Sequence, residues 1–308
     1  MNTKEKNIAV ESESKAANGL QKKQTPRLAV QKTYKMYING SFSRSESGRY
    51  YKLEVAGKVF NICRSSRKDF REAVVAARKA QDGWFKKSAY NRSQIIYRIA
   101  ETLEGRKTQF IESLMHEGVS ATNAETEFGM AVDRLVYYAG WCDKYQQVFS
   151  SVNPAEGSYF NFSFPEPMGV AAIIAPEHYG LLGLISVICP CIAGGNTVVV
   201  LASRKHPLTA IDFAEVLHAS DLPGGVVNVL TGFKNELLSH FASHMDVNAI
   251  VYTFQEKEDI RKTEELSSLN VKRAIAWNKL NWIENYAQSP YLIMDLQEIK
   301  TTWHPVGI

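Results

Sequence analysis

The side chains best suited to chemistry lie in a few places. Cys189 and Cys191 are separated by one residue, a spacing that can grip a soft metal ion. No second Cys or His pair lies near them in the sequence, so zinc is not expected. On an apolar helix they read instead as small hydrophobes whose thiols stay protonated. His178 follows an apolar strand, a place where an imidazole can act as general base or anion contact, but no nucleophile accompanies it. Arg204-Lys205-His206 is a cationic run able to hold a phosphate group, but it reads more readily as a solvated loop charge cluster. His240 and His244 share one helical face, but an acidic third ligand is missing and they read as surface histidines. No catalytic residue and no metal ligand is assigned.

The elements that would position these groups follow from periodicity. Ser66 and Asp69 form a capping box before Phe70, Val74 and Ala77, which share a helical face. Ile95, Ile96, Ile99 and Leu103 repeat that stripe, as do Phe128, Val132, Leu135, Val136 and Ala139. Upstream, residues 34–42 read as extended, with a turn at Asn39-Gly40. Residues 158–164 alternate Phe160, Phe162 and Phe164 with Tyr159, Asn161 and Ser163, the pattern of a half-exposed strand closed by Pro165 and Pro167. From Gly169 the chain becomes strictly alternating. Strands are expected at 169–174, 197–201, 226–230, 249–253 and 271–276, and helices at 181–193, 209–220, 236–243 and 256–268. Five short strands separated by helices predict a doubly wound α/β fold around a parallel five-stranded, Rossmann-like sheet. Ligands of such sheets sit beyond the strand C-termini, which directs attention to residues 175–180, 202–206 and 231–234. Residues 291–293 and 299–303 read as two more extended pieces.

Composition narrows the classes. The chain has 308 residues and a formal net charge of +4, yet residues 1–35 hold eight basic and three acidic residues. The remaining 273 carry 28 basic against 29 acidic residues, so the body shows no electrostatic footprint for nucleic acid. The N-terminus lacks an apolar signal segment, and the longest apolar run, residues 181–193, is too short to span a bilayer. Four cysteines in this length make no disulfide framework, and a reducing, cytoplasmic setting is expected.

Several motifs carry a resemblance. Gly169-Val-Ala-Ala-Ile-Ile-Ala-Pro176 followed by Leu181-Leu-Gly-Leu, Gly194-Gly-Asn-Thr-Val-Val-Val200, His206-Pro-Leu-Thr209 and, most specific, Asp221-Leu-Pro-Gly-Gly-Val-Val-Asn-Val-Leu-Thr-Gly232 resemble the cofactor domain of aldehyde dehydrogenases. Met36-Tyr-Ile-Asn-Gly40, residues 73–84 and 92–104, and Tyr138-Ala-Gly-Trp141 resemble that family's N-terminal elements. Ile299-Lys-Thr-Thr-Trp303 resembles its C-terminal oligomerisation strand. The resemblance implies NAD or NADP as cofactor, with Ile174, Ala175, Pro176, Ser203 and Gly232 as vestigial contacts. It implies a cysteine thiolate that attacks an aldehyde, hydride transfer to the cofactor and a glutamate that activates water.

Position by position, the matching residues differ. His178 stands at the oxyanion asparagine, Leu201 at the ribose-binding lysine, and Arg204 at an acidic position. Thr253-Phe254-Gln255 replaces the Gly-Ser turn that admits the pyrophosphate to a helix N-terminus, and Glu256, Glu258 and Asp259 follow it. Trp277 stands at the general-base glutamate, and no cysteine occurs after Cys191. The expected organisation is therefore 1–33, a disordered basic leader; 34–150, the N-terminal helical part of the cofactor-type domain; 151–168, an oligomerisation hairpin or strand; 169–280, the Rossmann-like cofactor-type domain; and 281–308, a linker and C-terminal oligomerisation strand, with the catalytic domain absent. The chain is expected to be a truncated pseudoenzyme, resembling the second, non-catalytic copy of bidomain members. Its expected role is structural or regulatory, in a homo-oligomer or with a full-length aldehyde dehydrogenase, without membrane or nucleic acid. Two alternatives stand beside this: an NAD(P)-dependent oxidoreductase active only with a partner, and a dinucleotide-sensing module.

Overall fold

The computed structural model describes residues 32–55 and 57–307. The expected leader, 1–33, lies outside the described residues except at its end, where Thr33 already belongs to a strand. Strands β1 (Thr33–Tyr34), β2 (Met36–Ile38) and β3 (Ser41–Ser43) come first. Asn39 and Gly40 join β2 to β3 with φ of 52° and 73°, the left-handed pair that a tight hairpin turn requires. A second hairpin follows, β4 (Tyr50–Val55) and β5 (Lys58–Cys63), and β1 pairs with β5.

The helical block contains α1 (Arg67–Phe85), α2 (Ala89–Glu104), α3 (Lys107–His116), α4 (Ala121–Trp141) and the short α5 (Tyr145–Phe149). Helix α1 starts at the expected capping box, Ser66 and Asp69 each satisfying the other's backbone N–H. Strands β6 (Ser151–Asn153) and β7 (Tyr159–Pro167) then lead into the alternating part: β8 (Val170–Ile174), α6 (Gly180–Ala193), β9 (Thr197–Leu201), α7 (Pro207–His218), β10 (Val227–Leu230), α8 (Lys234–Ser243), β11 (Ala249–Tyr252), α9 (Lys257–Ser268) and β12 (Arg273–Ala276). A helix α10 (Tyr291–Met294) and strand β13 (Gln297–Pro305) end the described chain. The expectation of an extended piece at 291–293 is corrected: Pro290 starts a helical turn there, closed by bonds back to the Pro290 and Tyr291 carbonyls.

The central sheet has the order β12-β11-β8-β9-β10-β2-β3. Its five parallel strands are the expected ones, and the β2–β3 hairpin adds two antiparallel strands at one edge, making seven in place of five. Strand residues divide by parity. Val170, Ala172 and Ile174 pack with Phe70, Val74, Leu238 and Phe241 from α1 and α8. Ala171 and Ile173 pack with α6, α7 and the rest of the helical block. Buried on both faces, the strands read as continuous apolar runs, and α6 is apolar all round because every one of its residues is buried. The order reverses beside β8, so the loops after β8 and β11 open on one crevice. The third sheet, β13-β7-β6, pairs the Phe160–Phe162–Phe164 strand with the C-terminal strand.

Candidate functional site

The crevice at the strand C-termini holds a cleft of about 1430 Å³. Ile174, Ala175 and Pro176 line it, as do Glu177 and His178 from the same loop. Opposite lie Phe254 and Glu256 after β11, and Arg204 and Lys205 lie at the loop after β9. Ser203 and Gly232 do not line it. The Ser203 hydroxyl turns to Glu177, donating to its carboxylate at 2.8 Å and accepting from the backbone N–H of Lys205 and His206. Gly232 (φ 154°) lies under Ser65, whose backbone nitrogen would sit 3.3 Å from an added Cβ. Its neighbour Phe233 reaches the cleft instead.

Phe233 is held by cations. The Arg64 and Arg204 guanidinium groups stand 4.8 and 4.7 Å from its ring centre, and Tyr51 packs against it. Phe254 stacks on Tyr252 and carries the Lys234 ammonium 4.4 Å from its ring centre. That ammonium also pairs with Glu256 at 3.0 Å and Asp259 at 2.9 Å, so Lys234 ties α8 to α9 across the crevice.

Carboxylates occupy the helix N-termini around the crevice. Glu127 accepts from the N–H groups of Leu181 and Leu182 at the start of α6. Its burial raises the carboxyl pKa, against the lowering effect of those two donors. Glu117, fully buried, accepts from the N–H groups of Leu208 and Thr209 and from the Thr209 hydroxyl at α7, with His206 Nδ1 3.6 Å away. Glu236 in the first turn of α8 pairs with Arg64 and Arg49, and Glu256 precedes α9. Each positive helix end already has a negative partner supplied by this chain.

The route out of β12 is closed. The Trp277 indole is buried and donates to the Asp295 carboxylate at 2.8 Å. The next residues lie flat on α4 and α6: Arg134, buried, donates to the carbonyls of Trp282 and Ala287, and Ala287, Leu292 and Ile293 join the core. The four cysteines are all buried. Burial pushes the Cys142 thiol up to about 12 and those of Cys189 and Cys191 above their ordinary value. Leu201 is buried in the core. His244 lies edge-on to Phe70, burial lowers the pKa of both His240 and His244, and among the described residues no metal-binding group of three ligands forms.

Sequence reasoning missed Glu117, Glu127 and Arg134, and placed Lys234 in a candidate loop without its partners. Glu127 adjoins Phe128 in the apolar stripe of α4, and a charge next to such a stripe was the available signal.

The aldehyde dehydrogenase family model matches residues 52–273. A mitochondrial 10-formyltetrahydrofolate dehydrogenase of Mus musculus is 32% identical over 257 residues, covering 81% of this chain and 27% of that protein. An NAD-dependent aldehyde dehydrogenase from Sinorhizobium meliloti superposes with a TM-score of 0.75 at 27% identity, over 82% of this chain and 51% of that one. An aldehyde dehydrogenase from Bacillus cereus, solved as an NAD+ complex, gives 0.74 at 25%, over 80% and 50%. The chain belongs to the aldehyde dehydrogenase family. It spans about a quarter of the mouse relative and half of the two structural neighbours.

Proposed function

We propose that the chain is a non-catalytic member of its family, acting as a structural or regulatory subunit in an oligomer with itself or with a full-length aldehyde dehydrogenase. The observation that carries this is Trp277. It stands where the resemblance calls for a water-activating glutamate, it is buried against Asp295, and the chain after it goes to α10 and β13 without a nucleophile segment. The buried, protonated thiols of Cys142, Cys189 and Cys191 have no access to an aldehyde.

The crevice does not fit a dinucleotide pyrophosphate. The Phe254 ring and the Lys234–Glu256–Asp259 bridge fill the approach to α9, and the acids there repel phosphate. The purified chain is to be incubated with NAD+ or NADP+ and a panel of aldehydes, following reduced nicotinamide; the expected rate is that of buffer. Turnover by the chain alone defeats the proposal. In parallel, pull-down from the native cell should recover this chain or an aldehyde dehydrogenase, and a monomer with neither defeats the subunit role.

A second reading, dinucleotide sensing, draws on the size of the cleft and on Arg204 and Lys205 at its rim. Calorimetry separates the two: saturable micromolar binding of NAD+ or NADP+ favours sensing, and silence favours the structural role.

A further inference from the structure

We infer that two copies of this chain pair edge to edge through β13, antiparallel, with Thr301 on the two-fold axis. The inference rests on the subunit role above and names its occupant and register. β13 is the outer strand of its sheet, and residues 298–305 are exposed except for half-buried Thr302.

The direction of its free backbone groups follows from the pairing with β7. Leu296 accepts from Met168 N–H at 3.3 Å, and Val306 donates to the Ser158 carbonyl at 2.9 Å. Pro165 and Pro167, opposite Ile299 and Gln297, have no N–H to give. Even-numbered residues of β13 therefore bond inward to β7. Odd-numbered ones, Ile299, Thr301 and Trp303, turn their N–H and C=O outward, an unpaired edge that templates another strand.

The sequence of that edge is self-complementary. With Thr301 on the axis, Ile299 of one copy faces Trp303 of the other, and Glu298 faces His304. Ile299 and Trp303 are 55% and 59% exposed, unusual for apolar side chains on an open edge. Both lie on the face where Trp303 meets Tyr159 edge-on at 6.0 Å, so the new pairs extend an existing apolar strip. Glu298 already holds Arg273 at 3.1 Å with its carboxylate half exposed, leaving an acceptor for His304. Moving the axis to Lys300 sets that lysine against itself. Moving it to Thr302 sets Lys300 against His304 and leaves Glu298 without a charged partner. Centring on Ile299 opposes Glu298 to Lys300 but pairs only residues 297–301, whereas the Thr301 register pairs the whole strand, 297–305, and sets the Glu298 carboxylate opposite the His304 imidazole and Ile299 opposite Trp303, as an isologous contact requires.

Thr301 then faces its own copy at a Cα separation of about 5.5 Å, within disulfide reach. Thr302 lies about 8 Å from its own copy, beyond reach. In the full chain, Thr301→Cys should form a covalent dimer with oxidised glutathione, in about tenfold or greater excess over Thr302→Cys. The native cysteines are buried and do not compete. Trp303→Lys should weaken self-association about thirtyfold or more by sedimentation, the loss of a central aromatic anchor. Thermal unfolding of each variant checks that it is folded. A dimer that Trp303→Lys leaves intact and Thr301→Cys does not cross-link overturns the inference while self-assembly through another surface stands. A monomeric chain that still recovers a full-length aldehyde dehydrogenase also overturns it and leaves the subunit role intact.

Discussion

Replacing Arg134 with methionine tests whether residues 277–296 are built into the core or merely laid over it. The guanidinium is 1% exposed. Its Nη1 donates to the Ala287 carbonyl at 2.8 Å and to Ser186 Oγ at 3.0 Å, and Nη2 donates to the Trp282 carbonyl at 3.0 Å. Methionine keeps most of the stem and removes every donor. Ser186 stays satisfied, because its hydroxyl donates to the Leu182 carbonyl at 2.6 Å. The carbonyls of Trp282 and Ala287 lose a buried partner, at about 1–3 kcal/mol each. Against this, burial lowers the pKa of Arg134, so its charge is held there at a desolvation cost that methionine does not bear. The net expectation is a loss of roughly 2–4 kcal/mol, or about 4–8 °C in Tm for a body of this size. Urea unfolding gives the free energy, and Trp282, buried in the wild type, should shift its emission to the red. A change below about 0.5 kcal/mol with unaltered emission would refute the reasoning, because it would mean that Arg134 is not what holds the segment down.

Glu127→Gln has a pH signature. Burial raises the Glu127 carboxyl pKa above its ordinary 4.5, so its contribution to stability is complete below that value and is lost as pH rises through the raised one. The amide still accepts from Leu181 and Leu182 and does not titrate. The difference in unfolding free energy should therefore move in favour of the variant between pH 4 and pH 7, and a slope of the opposite sign in urea titrations rejects this account. Glu117→Gln should cost about 1–3 kcal/mol, since the amide cannot accept from the Thr209 hydroxyl and both N–H groups as strongly as a carboxylate; unaltered stability in denaturant counts against Glu117 as the cap of α7. In the native protein at pH 8 a thiol reagent should modify none of the four cysteines, and all four after unfolding. Rapid native labelling contradicts the assignment of the cysteines to the core.

What could be read from residue order was governed by period and burial. Strands buried on both faces are continuous runs such as Thr197–Leu201, and helix α1 carries its own start signal at Ser66 and Asp69. The β4–β5 hairpin was passed over although β4 alternates half-buried Tyr51, Leu53 and Val55 with exposed Tyr50, Lys52 and Glu54, the period of a strand with one face toward the core. The β2–β3 hairpin was visible as a turn, but its attachment to β10 is a long-range event, made through Asn39 N–H and the Asn228 side chain at 3.0 Å. At the site, the loops bearing Pro176 and Arg204 were located by the strand pattern. Their partners were not: Glu117 and Glu127 come from helices far upstream, and their meeting with α7 and α6 depends on how the block packs. Ser203, a cofactor contact only by resemblance, has its hydroxyl engaged with Glu177, a pairing that the sequence does not reveal.

The carboxylates at the helix ends bear on the subunit role more directly than the missing nucleophile does. A helix N-terminus that serves a phosphate keeps its N–H groups free until the ligand arrives. Here Glu127 and Glu117 accept from the first N–H groups of α6 and α7, and Glu236 and Glu256 sit at α8 and α9. Such a crevice gains little from an added anion, because the donors of α6 and α7 are already used and an added charge at α8 or α9 meets Glu236 or Glu256. The same arrangement complements these four helix ends from within the chain. Trp277, Arg134 and Asp295 do for the route out of β12 what these acids do for the crevice: they satisfy polar groups from inside. Along the free edge of β13 the backbone groups of Ile299, Thr301 and Trp303 face outward, with the Ile299 and Trp303 side chains exposed beside them. If this fold has kept one place for a partner, that edge is where the remaining free energy of association resides.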